Sequence, residues 1–367
     1  LKNYDRIEAL KLAAKVKLLP TPAQAQALDQ LLRTANKACN WLSERAWENQ
    51  VFAQYALQKA HYGEAREMFG LPAQVVIRCL AKVADAYKLD KKIQRVFRPL
   101  GSVAFDDRNL TWYVEKQTVS IGTLNGRIKI AFAAGDRQLQ LLASRQGESD
   151  LIFHRGKWFL TATCNIEEPE PGDVDDFLGV DLGIANIAAD SDGTLYSGSA
   201  VKSVRHRQRR LRTKLQKKVT TSANRRLKKL AGKEQRFATH TNHVISKQIV
   251  ATAKGTGRGI SVEDLSGIRE RVKVRHGQRV VLHNWAFLQL KILVLYKAAL
   301  AGVAVVQVDP RNSSRECSRC GHIDKLNRPS QSKFSCRCCG FAAHADLHAA
   351  CVIAGRAAVN RPNAAVV

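Results

Sequence analysis

Two cysteine pairs, Cys317-x2-Cys320 and, after residues 321–335, Cys336-x2-Cys339, constrain this chain more than any other feature. Each pair offers two sulfurs from one tight turn, and Gly321 and Gly340 follow where the backbone must reverse. The separation fits tetrahedral thiolate zinc, and four thiolates leave no open position, so one structural Zn²⁺ is expected. A redox CxxC would not come twice at this spacing. Cys338 competes as the fourth ligand, but Cys336-x2-Cys339-Gly340 mirrors the first pair better. Cys39, Cys79, Cys164 and Cys351 lie in apolar segments and read as ordinary buried thiols.

Around this small module the chain is long and basic. It has 367 residues, with 59 Lys and Arg against 32 Asp and Glu, a formal charge of +27. A 45% hydrophobic fraction excludes a disordered basic tail, which lacks the residues for a core. No apolar run approaches the ~18 residues of a membrane span, and the best stretch is 298–308. No signal-peptide pattern is read at the start, and clustered cysteines point to a reducing cytoplasm. A folded protein this basic is expected to bind a polyanion. Residues 202–236 hold fifteen Lys or Arg and a single acid, Glu234, a run that would repel itself without a counter-polyanion.

The texture changes along the chain. Residues 10–18 alternate apolar and basic, which predicts a half-exposed strand. Thr21-Pro22 reads as an N-cap followed by proline at the first helical position. Leu28, Leu31, Leu32, Ala35, Ala38, Cys39 and Leu42 then recur at helical spacing, and helical text continues through 51–98 with a break at 70–72. From 101 short β runs follow, with a hairpin signal at Leu124-Asn125-Gly126-Arg127 and a polar loop before the last run. The acidic, proline-containing stretch 167–176 marks a boundary. Beyond it the order is a strand over 177–190, a turn at Asp192-Gly193, a second short strand and a long basic helical segment, 201–252. A strand at 259–265, a helix near 284–301, a strand at 303–308, the cysteine insert and a last helix near 345–357 complete it. This is an α/β pattern whose central strands should be parallel and covered on both faces.

Three carboxylates stand where structure alone does not explain them. Period two in 178–183 sets Leu178, Val180 and Leu182 on one face and Gly179, Asp181 and Gly183 on the other. An acid between two glycines in an apolar strand suits a metal ligand that a phosphate backbone approaches closely. Glu263 ends a second apolar strand, opposite in face to Ile260 and Val262. Asp346 shares a helix face with Ala349, Ala350 and Ile353, small side chains that let the helix lie near a sheet. An oxygen-rich trio of this kind holds Mg²⁺ or Mn²⁺, and two ions roughly 4 Å apart can hydrolyse a phosphodiester.

The segments GVDLG, VEDLS and HADLHAA, with CSRCGH and CRCCGF before the last, resemble the RuvC nuclease of the TnpB family. These are transposon-encoded RNA-guided endonucleases related to type V CRISPR effectors, and the resemblance covers most of 175–356. It implies an RNase H-like α/β (RuvC) domain at 177–310 and 344–367, the latter with a C-terminal tail. A zinc ribbon that binds target nucleic acid is inserted at 311–343. It also implies a wedge β-barrel at 1–20 and 99–166, interrupted by a helical recognition domain at 21–98. By that likeness Asp181, Glu263 and Asp346 are the catalytic, Mg²⁺-holding residues, and Cys317, Cys320, Cys336 and Cys339 bind zinc. One departure is His348, where the family usually carries Asn. The implied partners are a guide RNA and a target DNA bearing a short flanking motif, with no membrane, in a monomeric prokaryotic ribonucleoprotein. Gln74 and Arg78 are candidate readers of the flanking motif, and Arg209, Arg210, Arg212, Lys217, Lys218, Arg225 and Arg226 candidate phosphate contacts. The competing readings are a nuclease-inactive RNA-guided DNA-binding repressor and a miniature type V CRISPR effector.

Overall fold

Alternation makes Leu10–Leu18 a strand, β1, that buries Ala14, Val16 and Leu18 and leaves Lys11, Lys15 and Lys17 outside. Thr21 caps the next helix, α1 (Pro22–Glu48), through a full capping box with Gln24, and Pro22 opens it. The seven apolar positions read from the sequence in α1 are all buried. Two helices follow, α2 (Gln54–Phe69), ended by Gly70 at φ +58°, and α3 (Ala73–Leu89). Helix was expected through 98, but α3 stops at Leu89. Side chains of α1 claim the carbonyls beyond: Asn40 and Ser43 donate to Phe97 O and Arg95 O at 3.1 and 2.6 Å. Those bonds hold the segment extended.

The computed structural model describes residues 10–183, 186–264 and 287–359. It divides at Glu167/Glu168 into two units. The first completes its sheet with β2 (Val103–Phe105), β3 (Leu110–Tyr113), β4 (Thr118–Thr123), β5 (Gly126–Ala133), β6 (Arg145–His154) and β7 (Lys157–Ile166). The seven strands pair antiparallel in the order β2-β6-β7-β1-β5-β4-β3, a nearly closed, barrel-like sheet. The 124–127 hairpin forms with Thr123 opposite Gly126, whose φ of +98° needs glycine. The polar stretch expected to be a loop contains a short helix, α4 (Asp136–Ala143). Gln138 accepts from the Gly135 N–H at its start, and Leu142 anchors it in the core.

The second unit opens with β8 (Phe177–Asp181), β9 (Asn186–Asp190) and β10 (Leu195–Ser197). The single strand expected over 177–190 is thus two antiparallel strands, with Val180 opposite Asp190. The basic segment is three helices, α5 (Ser199–Gln216), α6 (Thr221–Leu230) and α7 (Lys233–Gly255). Then come β11 (Gly259–Glu263), α8 (Phe287–Ala301), β12 (Val305–Val308), β13 (Lys333–Ser335), β14 (Ala342–His344) and α9 (Ala345–Val359). Residues 284–286, where the α8 helix was expected to begin, lie outside the described residues, as do 1–9 and 360–367.

The sheet order is β10-β9-β8-β11-β12, with β8, β11 and β12 parallel, as the element order predicts. Leu178, Val180, Ile260 and Val262 pack on one face with Ile249 of α7 and Leu290 and Val294 of α8. The other face receives α9 at close range. A Cβ on Gly179 would lie 2.0 Å from the Ala350 carbonyl oxygen, and Ser261 Oγ donates to Ile353 O at 2.8 Å. Gly179 therefore serves helix packing, not the approach of a phosphate that the sequence suggested. Both faces of the parallel core are covered, and every residue on the α9 side of β8 and β11 points toward the helix that carries Asp346.

Candidate metal centres

The two CxxC turns fold against each other. Cys317 Sγ lies 3.7 Å from Cys339 Sγ and Cys320 Sγ 3.6 Å from Cys336 Sγ, and all four sulfurs fall within 4.8 Å of one another. Tetrahedral zinc at about 2.3 Å from each sulfur sets the sulfurs about 3.8 Å apart, so the four positions fit the ion. Gly321 and Gly340 both take φ +71°, the reversal each turn requires. The N–H of Cys339, 3.5 Å from the Cys336 sulfur, helps hold that thiol down at about 6. A thiolate is thereby favoured before any cation arrives. Cys338 is exposed and stands outside the cluster. Of the other thiols, Cys39, Cys79 and Cys164 are buried as expected. Cys351 is not: it is exposed on α9, with its sulfur 3.8 Å from the Ser191 carbonyl oxygen.

The carboxylates stand on neighbouring elements but, unlike the four sulfurs, do not close into a tight ligand group. Asp181 and Glu263 are the last residues of β8 and β11, one step beyond the Val180–Val262 pair. Both lie on the face that α9 covers, and Asp346 sits in the first turn of α9. Burial, and then the negative charges of Glu263 and Asp346, push the Asp181 carboxyl up to about 7. Burial also raises Glu263, against the lowering pull of the Ser313 hydroxyl that donates to its Oε1. The like charges that help raise Asp181 are relieved by a cation among them. An all-oxygen donor set at the carboxyl ends of parallel strands suits a hard divalent ion.

Several residues around these acids carry no motif of their own. Asn186 Nδ2 donates to Asp346 Oδ2 at 3.0 Å, and the Arg328 guanidinium donates to Asp346 Oδ1 at 3.1 Å. Arg328 also lowers Asp181 through its charge. His348 is 2% exposed and stacks on Phe334 with ring centroids 3.6 Å apart. Its Nε2 accepts the Ser318 N–H at 3.1 Å, which joins α9 to the first CxxC turn, and burial holds the imidazole down at about 4. The histidine that departs from the family pattern is thus a packed, neutral link between ribbon and helix.

Gln74 and Arg78 sit together on α3, but acids hold them. Both donate to Asp106 Oδ2, Arg78 at 3.1 Å, and Arg78 also pairs with Glu148. Arg209, Arg210 and Arg212 of α5, Lys217 and Lys218 after it, and Arg225 and Arg226 of α6 are all exposed. Arg205, in the same run, is instead paired with Glu234 at 2.8 Å.

Two family models match. The OrfB_IS605 model, described as a probable transposase, covers residues 162–268, and the Cas12f1-like TNB domain covers 287–353. The chain is similar in sequence to TnpB-like and Cas12f proteins. It is 34% identical over 226 residues to a CRISPR-associated endodeoxyribonuclease Cas12f1 of Sulfoacidibacillus thermotolerans, covering 56% of this chain and 52% of that protein. It is 28% identical over 189 residues to a TnpB-like protein of Methanocaldococcus jannaschii, covering 48% of this chain and 67% of the relative. The chain spans about half the length of the Cas12f1 relatives it matches. Its fold is similar to Cas12f1 as solved in a complex with sgRNA and target DNA, with a TM-score of 0.60 and 15% identity over 90% of this chain and 83% of that one. Among the described residues no helix is long and apolar enough to cross a membrane.

Proposed function

We propose that this chain is an RNA-guided DNA endonuclease whose second unit is an RNase H-like RuvC domain with an inserted zinc ribbon. The observation that carries this reading is the convergence of Asp181, Glu263 and Asp346 at the carboxyl ends of β8 and β11, close enough for two of the charges to raise the third. Asp181, Glu263 and Asp346 would hold two Mg²⁺ or Mn²⁺ ions, which supply a polarised water and neutralise charge at a scissile phosphodiester. Asn186 and Arg328 fix the Asp346 carboxylate, and Arg328 adds a positive charge on the side where a phosphate would enter. The four cysteines hold a structural zinc that shapes the ribbon bearing Arg328. The barrel-like sheet and its helical insertion serve as the wedge and recognition modules, in a monomeric ribonucleoprotein.

The exposed arginines and lysines of α5 and α6 contact nucleic-acid phosphates, which gives salt-dependent binding without sequence preference. Sequence is read by pairing between guide and target, and a short flanking motif by the protein. Gln74 and Arg78 can read that motif only after leaving Asp106 and Glu148, so those carboxylates occupy the readers until a base edge replaces them. The deciding experiment expresses the chain with its native flanking sequence, sequences the copurifying RNA, and assays a matched target with Mg²⁺. A discrete RNA and cleavage confined to the matched target are expected. Cleavage by RNA-free protein would overturn the guided reading. Binding without cleavage across flanking motifs and metals would replace it with the repressor.

A further inference from the structure

The turn over 309–316 adds a layer of order around Glu263 that the carboxylates themselves do not require. It leaves β12 after Val308 and runs directly into Cys317, the first of the four thiolates. Asp309 folds back on it, accepting from the Arg311 N–H at 2.9 Å and from Arg311 Nε at 2.8 Å. Asn312 takes φ +60°, a left-handed backbone that asparagine tolerates better than most residues. Its carbonyl accepts the N–H groups of Arg315 and Glu316 at 2.8 and 2.9 Å. From α9, Arg356 clamps the turn from outside. It donates to Asp309 O at 2.5 Å and Arg311 O at 2.8 Å, and pairs with Glu316.

All this effort fixes one side chain. Ser313, 5% exposed, is held with its hydroxyl within reach of two acceptors, Glu263 Oε1 and, at 3.2 Å, Pro310 O, of which the Glu263 contact is the shorter. The terminal torsion of a glutamate is broad, so an unanchored carboxylate samples many orientations. A hydroxyl carries one hydrogen and so can lock a single oxygen in place.

We propose that Ser313 is a positioning residue for Glu263, and that the 309–317 segment makes cation loading at the carboxylates depend on an intact four-cysteine site. The proposal rests on Glu263 being a ligand, as argued above. Partners that orient a ligand typically contribute 10–100-fold to metal affinity. If Ser313 merely filled space, alanine would serve nearly as well.

The test measures Mn²⁺ binding to the full chain, from the paramagnetic resonance signal of free Mn²⁺, with zinc content determined in parallel. Ser313→Ala should raise the Mn²⁺ dissociation constant about tenfold with zinc unchanged, and Ser313→Thr, which keeps the hydroxyl, should recover most of that loss. Arg356→Lys, which keeps the positive charge near Glu263 but gives up the forked hydrogen bonds that clamp the turn, should shift Mn²⁺ affinity in the same direction. Cys339→Ser should weaken Mn²⁺ at least as much as Ser313→Ala. In a cleavage assay the Ser313→Ala defect should shrink as Mn²⁺ is raised, a change in half-saturating metal and not in the limiting rate. Wild-type Mn²⁺ affinity in Ser313→Ala, while Glu263→Gln loses the ion, would overturn the positioning role alone. Unchanged binding in Glu263→Gln would show that the ligand reading has failed, and the proposal with it. Unchanged Mn²⁺ affinity in zinc-free Cys339→Ser would remove the coupling.

Discussion

The thiolate cluster and the carboxylate cluster share the second unit, yet they are assembled in opposite ways. The thiolates come from two adjacent turns, and the Cys339 N–H already favours charge on Cys336. The carboxylates come from three elements far apart in the chain, and their charges work against one another on Asp181. Crowding acts in both, since burial and neighbouring thiols raise Cys320 and Cys339. The thiols, however, find backbone donors in their own turns, while the stored repulsion on Asp181 is only partly relieved by Arg328. Local turns can satisfy their own backbone, whereas a site between a sheet and a helix must be held by packing.

The largest expected effect is on the carboxylates. Acids that share an ion pair act as a unit, so Asp181→Ala, Glu263→Ala or Asp346→Ala should each cut Mg²⁺-dependent cleavage by roughly 10³-fold or more. Nucleic-acid binding, measured on the same variants by gel shift, should persist, since phosphate contacts lie elsewhere. A variant retaining a tenth of the wild-type rate would show that the three acids do not work together.

The thiolates should break locally. Cys317→Ser or Cys339→Ser should lose zinc by metal analysis and expose the ribbon to protease, while Cys338→Ser keeps its full zinc complement. Zinc loss on replacing Cys338 would place the fourth ligand one residue earlier.

A smaller effect separates the two sites by pH. The Asp181 carboxyl titrates at about 7 in the fold against 3.8 ordinarily, so its contribution to stability is complete below about pH 4 and lost as pH rises through 7. Asp181→Asn removes that loss. Without divalent ions it should be more stable than wild type at pH 8, by on the order of 2 kcal/mol, with the advantage gone near pH 4. Thermal melts of the pair at both pH values would check this, and equal melting at pH 8 would contradict the stored repulsion.

The smallest effect concerns the link between the clusters. His348→Asn gives up both the stacking on Phe334 and, being too short to reach the Nε2 position, the Ser318 N–H bond, so it should cost about 1.5 kcal/mol in melting while cleavage survives.

Most of the local chemistry was legible in the residues. The cysteine spacing and its glycines describe two turns complete in themselves. The alternation in 178–183 and 260–263 put the acids on the right faces. Residues whose role depends on closure of the fold were not legible. Arg328, Asn186 and Ser313 reach the acids from loops and a strand start, where polar residues are common and carry no period. Gly179 was noticed for the wrong reason, because nothing in a strand's own text says that a helix will cross it. Likewise Gln74 and Arg78 read as candidate readers of a flanking motif, and nothing in their own helix says that Asp106, beyond α3, closes on them. The short helix α4 hid in polar text because a single buried leucine anchors it.

The contact between Gly179 and α9 also bears on the order in which the second unit can close. A ribosome delivers β8 and β11 long before it delivers Asp346, and the groove over Gly179 stays open until α9 arrives. The α9 face of the sheet is therefore the last to be covered, and the close packing at Gly179 forms only after the whole cysteine segment has been made.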